Sequence, residues 1–157
     1  MDEILVTFIA SFLIWFMFGG LLFLWIIDGR VKKEVVLHAL IASSVAWIIA
    51  EMIKALFPTT RPFIEYGKLP LTLTFPFDGA FPSSHETISF ALAATVWYHN
   101  KKIGAAFVVT AILIGIGRVV ANVHYPIDIL GGVVLGLIVA TLIEKLHVFS
   151  LVKKLRA

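Results

Sequence analysis

The sequence predicts an all-α integral membrane protein: a helical bundle of about five transmembrane helices, with an interfacial loop between the second and the third. Three observations predict it. The 157 residues are 60% hydrophobic and 15% charged, whereas a soluble domain is about half apolar and about a quarter charged. Mean hydropathy is +0.99. The apolar residues fall in long, nearly uncharged runs, more than one small core could bury, so lipid must solvate much of the surface.

Ile4 to Ile27 is an uncharged run of 24 residues, long enough to span a bilayer as a helix. It does not read as a cleavable signal, because Asp2 and Glu3 replace the usual basic start and the run is too long. The segment from Asp28 to Glu34 reads as a short charged loop. Val35 to about Phe57 forms the second apolar segment, with Glu51 and Lys54 near its far end. Charges at membrane depth are costly and mark function or a wet cavity. Pro58 to Ser84 holds five of the six prolines and two glycines. It reads as an ordered surface loop with room for a short interfacial helix. A third helix begins near Pro82–His85 and runs to Tyr98 or His99, and a fourth runs from Ile103 to about Val123. Tyr125-Pro126 makes a break, and Asp128 opens a fifth helix that ends near Lys145. Residues 1–157 read as one domain, without repeats or low-complexity segments.

Orientation follows from the basic residues. Five spans put residues 28–34, residues 100–102 and the C-terminus on one side. Nine of the 13 basic residues lie there, which makes that side cytoplasmic. The other four are Lys54, Arg61, Lys68 and Arg118. The chain has no cysteine, which excludes disulfides, thiolate chemistry and cysteine-ligated metal. The net charge of +3 matters less than its distribution, and nothing points to nucleic acid.

This topology gathers three clusters at the non-cytoplasmic face: Lys54 with Arg61-Pro62, then Pro82-Ser83-Ser84-His85, then Arg118 with His124 and Asp128. Lys54, Arg61 and Arg118 supply three cations, and arginine's planar fork suits phosphate oxygens. His85 stands at a helix N-terminus, where free N–H groups favour an anion. Asp128, four residues after His124, can accept from one imidazole nitrogen and leave the other free to attack. Two histidines, three cations and a carboxylate fit phosphoryl transfer through a covalent phosphohistidine. No cluster has a convincing metal-ligand set, so no metal and no cofactor is expected.

The pattern Lys-x6-Arg-Pro, Pro-Ser-x-His and Arg-x5-His-x3-Asp resembles the type 2 phosphatidic acid phosphatase (PAP2) superfamily, from Lys54 to about Gly132. The resemblance implies that Lys54, Arg61 and Arg118 bind phosphate and that Ser83 and the backbone of Ser84 complete the pocket. It implies His124 as nucleophile, His85 as the acid that protonates the leaving group, and Asp128 as the residue that orients His124. It implies a metal-free phosphatase. Ser84 replaces a frequent glycine, and Gly117 stands where a serine often precedes the arginine. Many lipid-acting members have six spans, and five are read here.

The bland readings stand beside these. Taken alone, Lys54 and Arg118 read as snorkelling helix-end residues, and the two histidines as interfacial residues or caps. Asp128 also reads as the N-cap of the last helix. Glu51 is set to pair with Lys54 one turn away. Glu86 reads as a helix N-terminal charge, or as a residue that tunes His85. His38, His99 and His147 read as interfacial. Gly131-Gly132 reads as a close helix contact, and Trp15, Trp25, Trp47 and Trp97 as lipid-facing or belt aromatics.

A phosphate site at the outer face, among apolar helices, calls for a membrane lipid phosphate as substrate in the cell membrane. The motif stretches resemble bacterial undecaprenyl diphosphate phosphatases, which serve cell-wall biogenesis by making undecaprenyl phosphate. Phosphatidylglycerophosphate and lipid A 1-phosphate phosphatases are the alternatives. A transporter or channel would scatter charges along a pore, whereas here they gather at one face.

Overall fold

The computed structural model describes residues 2–27 and 30–146, the backbone alone for 30–32. Asp28, His147 and the basic tail of Lys153, Lys154 and Arg156 lie outside the described residues. The element order is α1 (Glu3–Ile27), α2 (Arg30–Leu56), α3 (Pro62–Glu65), α4 (Ser84–His99), α5 (Lys101–Val120) and α6 (Pro126–Lys145). Five long helices are present among the described residues, as the hydropathy predicts. Four of them, α1, α2, α5 and α6, are long and apolar enough to cross a membrane.

The exception is α4, with 16 residues, which span about 24 Å at helical rise. It is the axis of the bundle and packs against α1, α2, α5 and α6. Enclosed by protein, it needs no apolar outer face, and it buries Thr87, Ser89 and Thr95. Thr87 Oγ1 and Thr95 Oγ1 donate to the carbonyls four residues back at 2.9 Å.

The outer helices show why one stripe of each faces inward. On α1, Val6, Ala10, Ile14, Met17 and Leu21 are buried, a spacing of three and four residues. Phe8, Trp15, Phe16 and Phe23 stay exposed on its outer face, where lipid would replace water. On α2 the buried stripe includes Ala39, Ala42, Ala46 and Ala50. These small residues bring its backbone close to α4, and Ala42 and Ala46 join Ala91, Ala94, Val139 and Ala140 where α2, α4 and α6 meet. Glycines serve α6 in the same way. A Cβ on Gly132 would lie 2.8 Å from the Ser83 carbonyl, and one on Gly136 would lie 2.6 Å from that of Thr87. The close contact expected at Gly131-Gly132 is therefore real and continues one turn further.

Several boundaries differ from the sequence reading. Helix α2 starts at Arg30 rather than Val35, so most of the expected charged loop is helix. At a membrane surface the polar turn is solvated, and charge does not stop a helix. Helix α5 ends at Val120, because Asn122 adopts a left-handed conformation with φ 62°, which asparagine tolerates. Helix α6 starts at Pro126 with Tyr125 as its N-cap. Asp128 is thus the third helical residue, not the cap. Its Oδ2 reaches back to accept the Tyr125 N–H at 2.8 Å, half of a capping box.

Candidate active site

Because the helices alternate in direction, the end of α2, the starts of α4 and α6 and the end of α5 meet at one end of the bundle. There Lys54, Arg61, Ser84, His85, Arg118 and His124 line one cavity of about 210 Å³, together with Trp47, Glu51, Pro76 and Asp78. Six of the eight residues singled out in the sequence therefore share one cavity. The other two support it. Asp128 is buried behind His124, and Ser83 is buried where α4 begins, its N–H donating to the Asp128 carbonyl at 3.0 Å.

His124 sits between two guanidinium groups. Arg61 Nη1 lies 3.2 Å and Arg118 Nη2 lies 3.4 Å from its Nε2. Arginine can only donate, so Nε2 must be the acceptor and the ring proton sits on Nδ1. Nδ1 lies 3.5 Å from Asp128 Oδ2. Burial first, and then the charges of Arg118, Arg61 and Lys54, hold the His124 pKa well below the ordinary histidine value. The result is a neutral imidazole with its lone pair aimed among cations, the form a nucleophile needs.

Arg61 organises the loops around the cavity. It caps α3, with Pro62 as the first helical residue, and its side chain is buried. Nε donates to the Asp78 carbonyl at 2.9 Å, Nη1 to the Val123 carbonyl at 2.9 Å and to His124, and Nη2 to Asp78 Oδ1 at 2.8 Å and the Gly79 carbonyl at 3.1 Å. All five guanidinium donors are thereby used. Arg118 donates from Nη1 to the Ala10 carbonyl at 3.1 Å. Its Nε is buried without a partner, as is Ser83 Oγ.

The sequence reading missed Asp78. Its carboxylate joins two cations, taking Lys54 Nζ at 2.5 Å on Oδ2 and Arg61 on Oδ1. Partial burial works to raise its pKa, but the hydrogen bond and charge of Lys54 and the charge of Arg61 outweigh that and hold it below its ordinary value. The available signal was charge balance, since three cations with no nearby acid would be too costly to bury. Glu51 does pair with Lys54, at 3.3 Å, and also accepts from Ser84 Oγ at 2.6 Å. Glu86 does lie in the first turn of α4. Its side chain is buried against α5 and α6, where a Cβ on Gly115 would come within 2.8 Å of its Oε1.

At the opposite end, His38 is buried between helices. Glu144 Oε2 lies 3.5 Å from His38 Nδ1 and 3.2 Å from His99 Nε2, tying α2, α4 and α6 together. Among the described residues this is the set with metal-ligating atoms, all within 4.8 Å of one another, and it is remote from the cavity.

A helical membrane bundle that presents a neutral histidine among three buried cations defines a class of phosphate-handling membrane proteins. The family model of the PAP2 superfamily matches residues 34–150, and the chain belongs to that family. It is 30% identical over 135 residues to the bacitracin transport permease protein BcrC of Bacillus licheniformis, covering 86% of this chain and 66% of that one. To the undecaprenyl-diphosphatase BcrC of Bacillus subtilis it is 30% identical over 122 residues, covering 78% and 63%. To a lipid A 1-phosphatase of Rhizobium etli it is 32% identical over 96 residues, covering 57% and 40%. The chain thus spans less than two thirds of the length of these relatives. Among solved structures, Aquifex aeolicus LpxE superposes with a TM-score of 0.76 at 28% identity, covering 91% of this chain and 85% of that one. With four helices long and apolar enough to cross, the chain is a multi-pass membrane protein.

Proposed function

We propose that this protein is a lipid phosphatase that removes the terminal phosphate of a polyprenyl diphosphate, undecaprenyl diphosphate above all, at the non-cytoplasmic membrane face through a phosphohistidine on His124. The observation that carries the reading is the placement of His124 Nε2 between Arg61 and Arg118, with Asp128 behind Nδ1 and His85 in the same cavity.

In the first step the Nε2 lone pair attacks the terminal phosphorus. The bond from phosphorus to the bridging oxygen breaks, its electron pair leaves with the lipid monophosphate, and His85 protonates that oxygen. Asp128 stabilises the imidazolium that forms. Lys54, Arg61 and Arg118 offset the charge on the equatorial oxygens. In the second step water attacks the phosphohistidine, the P–N bond breaks, its electrons return to Nε2, and His85 takes the proton from water. Both steps use the same cradle.

The substrate assignment rests on two supports. The cavity borders on Trp47, which is half-exposed, at the end of helices whose outer faces are apolar, so a phosphate on a lipid tail reaches it from the membrane. The undecaprenyl-diphosphatase likeness covers more of the chain than the lipid A 1-phosphatase likeness, 78% against 57%. The test is phosphate release by the purified protein from undecaprenyl diphosphate, phosphatidylglycerophosphate, lipid A 1-phosphate and phosphatidic acid. The highest kcat/KM belongs to undecaprenyl diphosphate. A higher value for any of the other three moves the assignment to that lipid, and no release from any of the four refutes phosphatase activity.

A further inference from the structure

Asp78 is in the place a substrate phosphate needs. Its two carboxylate oxygens bridge Lys54 Nζ and Arg61 Nη2, at 2.5 and 2.8 Å. These are two of the three cations assigned to phosphate, and the same cavity wall carries His85, Arg118 and His124. Arg61 has no donor to spare. Of its five, three hold backbone carbonyls, one faces His124 and the fifth is spent on Asp78 Oδ1. A phosphate can therefore gain a hydrogen bond from Arg61 only by displacing one of these. The carbonyl bonds tie the 78–79 segment and Val123 to the site. Two partners can leave without dismantling the loops: His124, whose Nε2 turns to the phosphorus in the proposed reaction, and the Asp78 carboxylate, which is the competing anion.

The charges agree. A phosphate beside a carboxylate that shares its cations would meet like-charge repulsion at close range. The geometry also defines how Asp78 leaves. Its carbonyl is held by Arg61 Nε and that of Gly79 by Arg61 Nη2, so the backbone stays in place. The side chain is 41% exposed, which leaves room for it to rotate outward into solvent.

We infer that Asp78 is a built-in anion that closes the phosphate cradle of the resting enzyme and swings out when a substrate phosphate takes over Lys54 and Arg61. This rests on the phosphatase reading of the site. The device would keep two of the three buried cations, Lys54 and Arg61, paired between turnovers. It would also set a threshold, because a ligand must compete with Asp78, and its apparent affinity falls by the fraction of molecules whose cradle is open. A lipid diphosphate, which brings more charge, passes that threshold more readily than a monoanion.

The experiment measures binding of inorganic phosphate to the purified full chain in detergent, by calorimetry and by the rise in Tm. Wild type, Asp78→Asn, Asp78→Ser and Arg118→Ala are compared. With the competing carboxylate removed, both Asp78 variants bind phosphate roughly tenfold more tightly than wild type, and phosphate raises their Tm by more. Arg118→Ala loses binding. Equal or weaker binding by the Asp78 variants, with Arg118→Ala still impaired, overturns the inference and leaves the phosphate cradle standing; Asp78 then only positions Lys54 and Arg61. Absence of phosphate binding by wild type and Asp78 variants alike refutes the cradle itself, and with it the inference. If both Asp78 variants lose stability, saturating phosphate restores it, because the ligand replaces the missing carboxylate. Failure of both to fold even in saturating phosphate also overturns the inference.

Discussion

In the proposed reaction His124 and His85 take different parts, and substitutions separate their roles. His124→Ala removes the attacking lone pair, so turnover falls to background, and no acid-labile, base-stable phosphate is trapped on the protein. His85→Ala still forms that adduct. A phosphate leaving group needs less protonation than an alkoxide, so His85→Ala keeps relatively more activity on undecaprenyl diphosphate than on phosphatidic acid, provided chemistry limits both rates. Trapping on His124→Ala but not on His85→Ala would reverse the assignment. Asp78 adds a pH effect on stability. Its folded pKa lies below the ordinary value, so its contribution is full above the unfolded carboxylate pKa of about 3.9 and is lost as pH falls through the folded one. In phosphate-free buffer the Tm gap between wild type and Asp78→Asn is therefore widest near neutrality and narrows below about pH 4. A gap independent of pH would show that the carboxylate charge contributes nothing.

Among the elements, α4 and α6 meet through glycine. Gly136 has no room for a Cβ, with the Thr87 carbonyl at 2.6 Å and the Ala91 N–H nitrogen at 2.9 Å. Both are helix backbone and cannot rotate away. Gly136→Val therefore forces α6 off α4 and costs about 1–3 kcal/mol. Because α6 carries Asp128, activity falls as well. On α1, a Cβ at Gly19 meets nothing within 4 Å, so Gly19→Ala is neutral or slightly stabilising. Thermal unfolding of the two variants in detergent, with phosphate release measured in parallel, checks the contrast; equal stabilities would mean that α6 repacks freely.

For the whole molecule, the five long helices among the described residues alternate in direction and put the cavity and the turn at residues 100–102 at opposite ends. Lys68 lies in the loop after α3 and Lys101 at the start of α5. In this cysteine-free chain, Lys68→Cys and Lys101→Cys label from opposite sides of sealed membranes, Lys68→Cys from outside. Labelling of both from one side would refute the arrangement. The reaction written above draws on side chains alone, so activity survives EDTA. Loss on chelation that Mg²⁺ restores would overturn a metal-independent mechanism.

The number of long helices, their order and the pairing of Lys54, Arg61, His85, Arg118, His124 and Asp128 at one face were legible in the sequence. Hydropathy runs and charge placement act locally, and alternation then determines which ends meet. Helix starts were less legible, as at Arg30 and Pro126, because solvated charge and proline both fit a first turn. Three things were decided only in three dimensions. Asp78, 17 residues from Arg61 and 24 from Lys54, reaches the cradle through a loop whose path Arg61 itself sets. His38 meets Glu144, more than a hundred residues away in the chain. The tautomer of His124 depends on two arginines from different segments. Each is a long-range electrostatic pairing, and the partner of a buried charge is chosen by proximity in space, which no local pattern encodes.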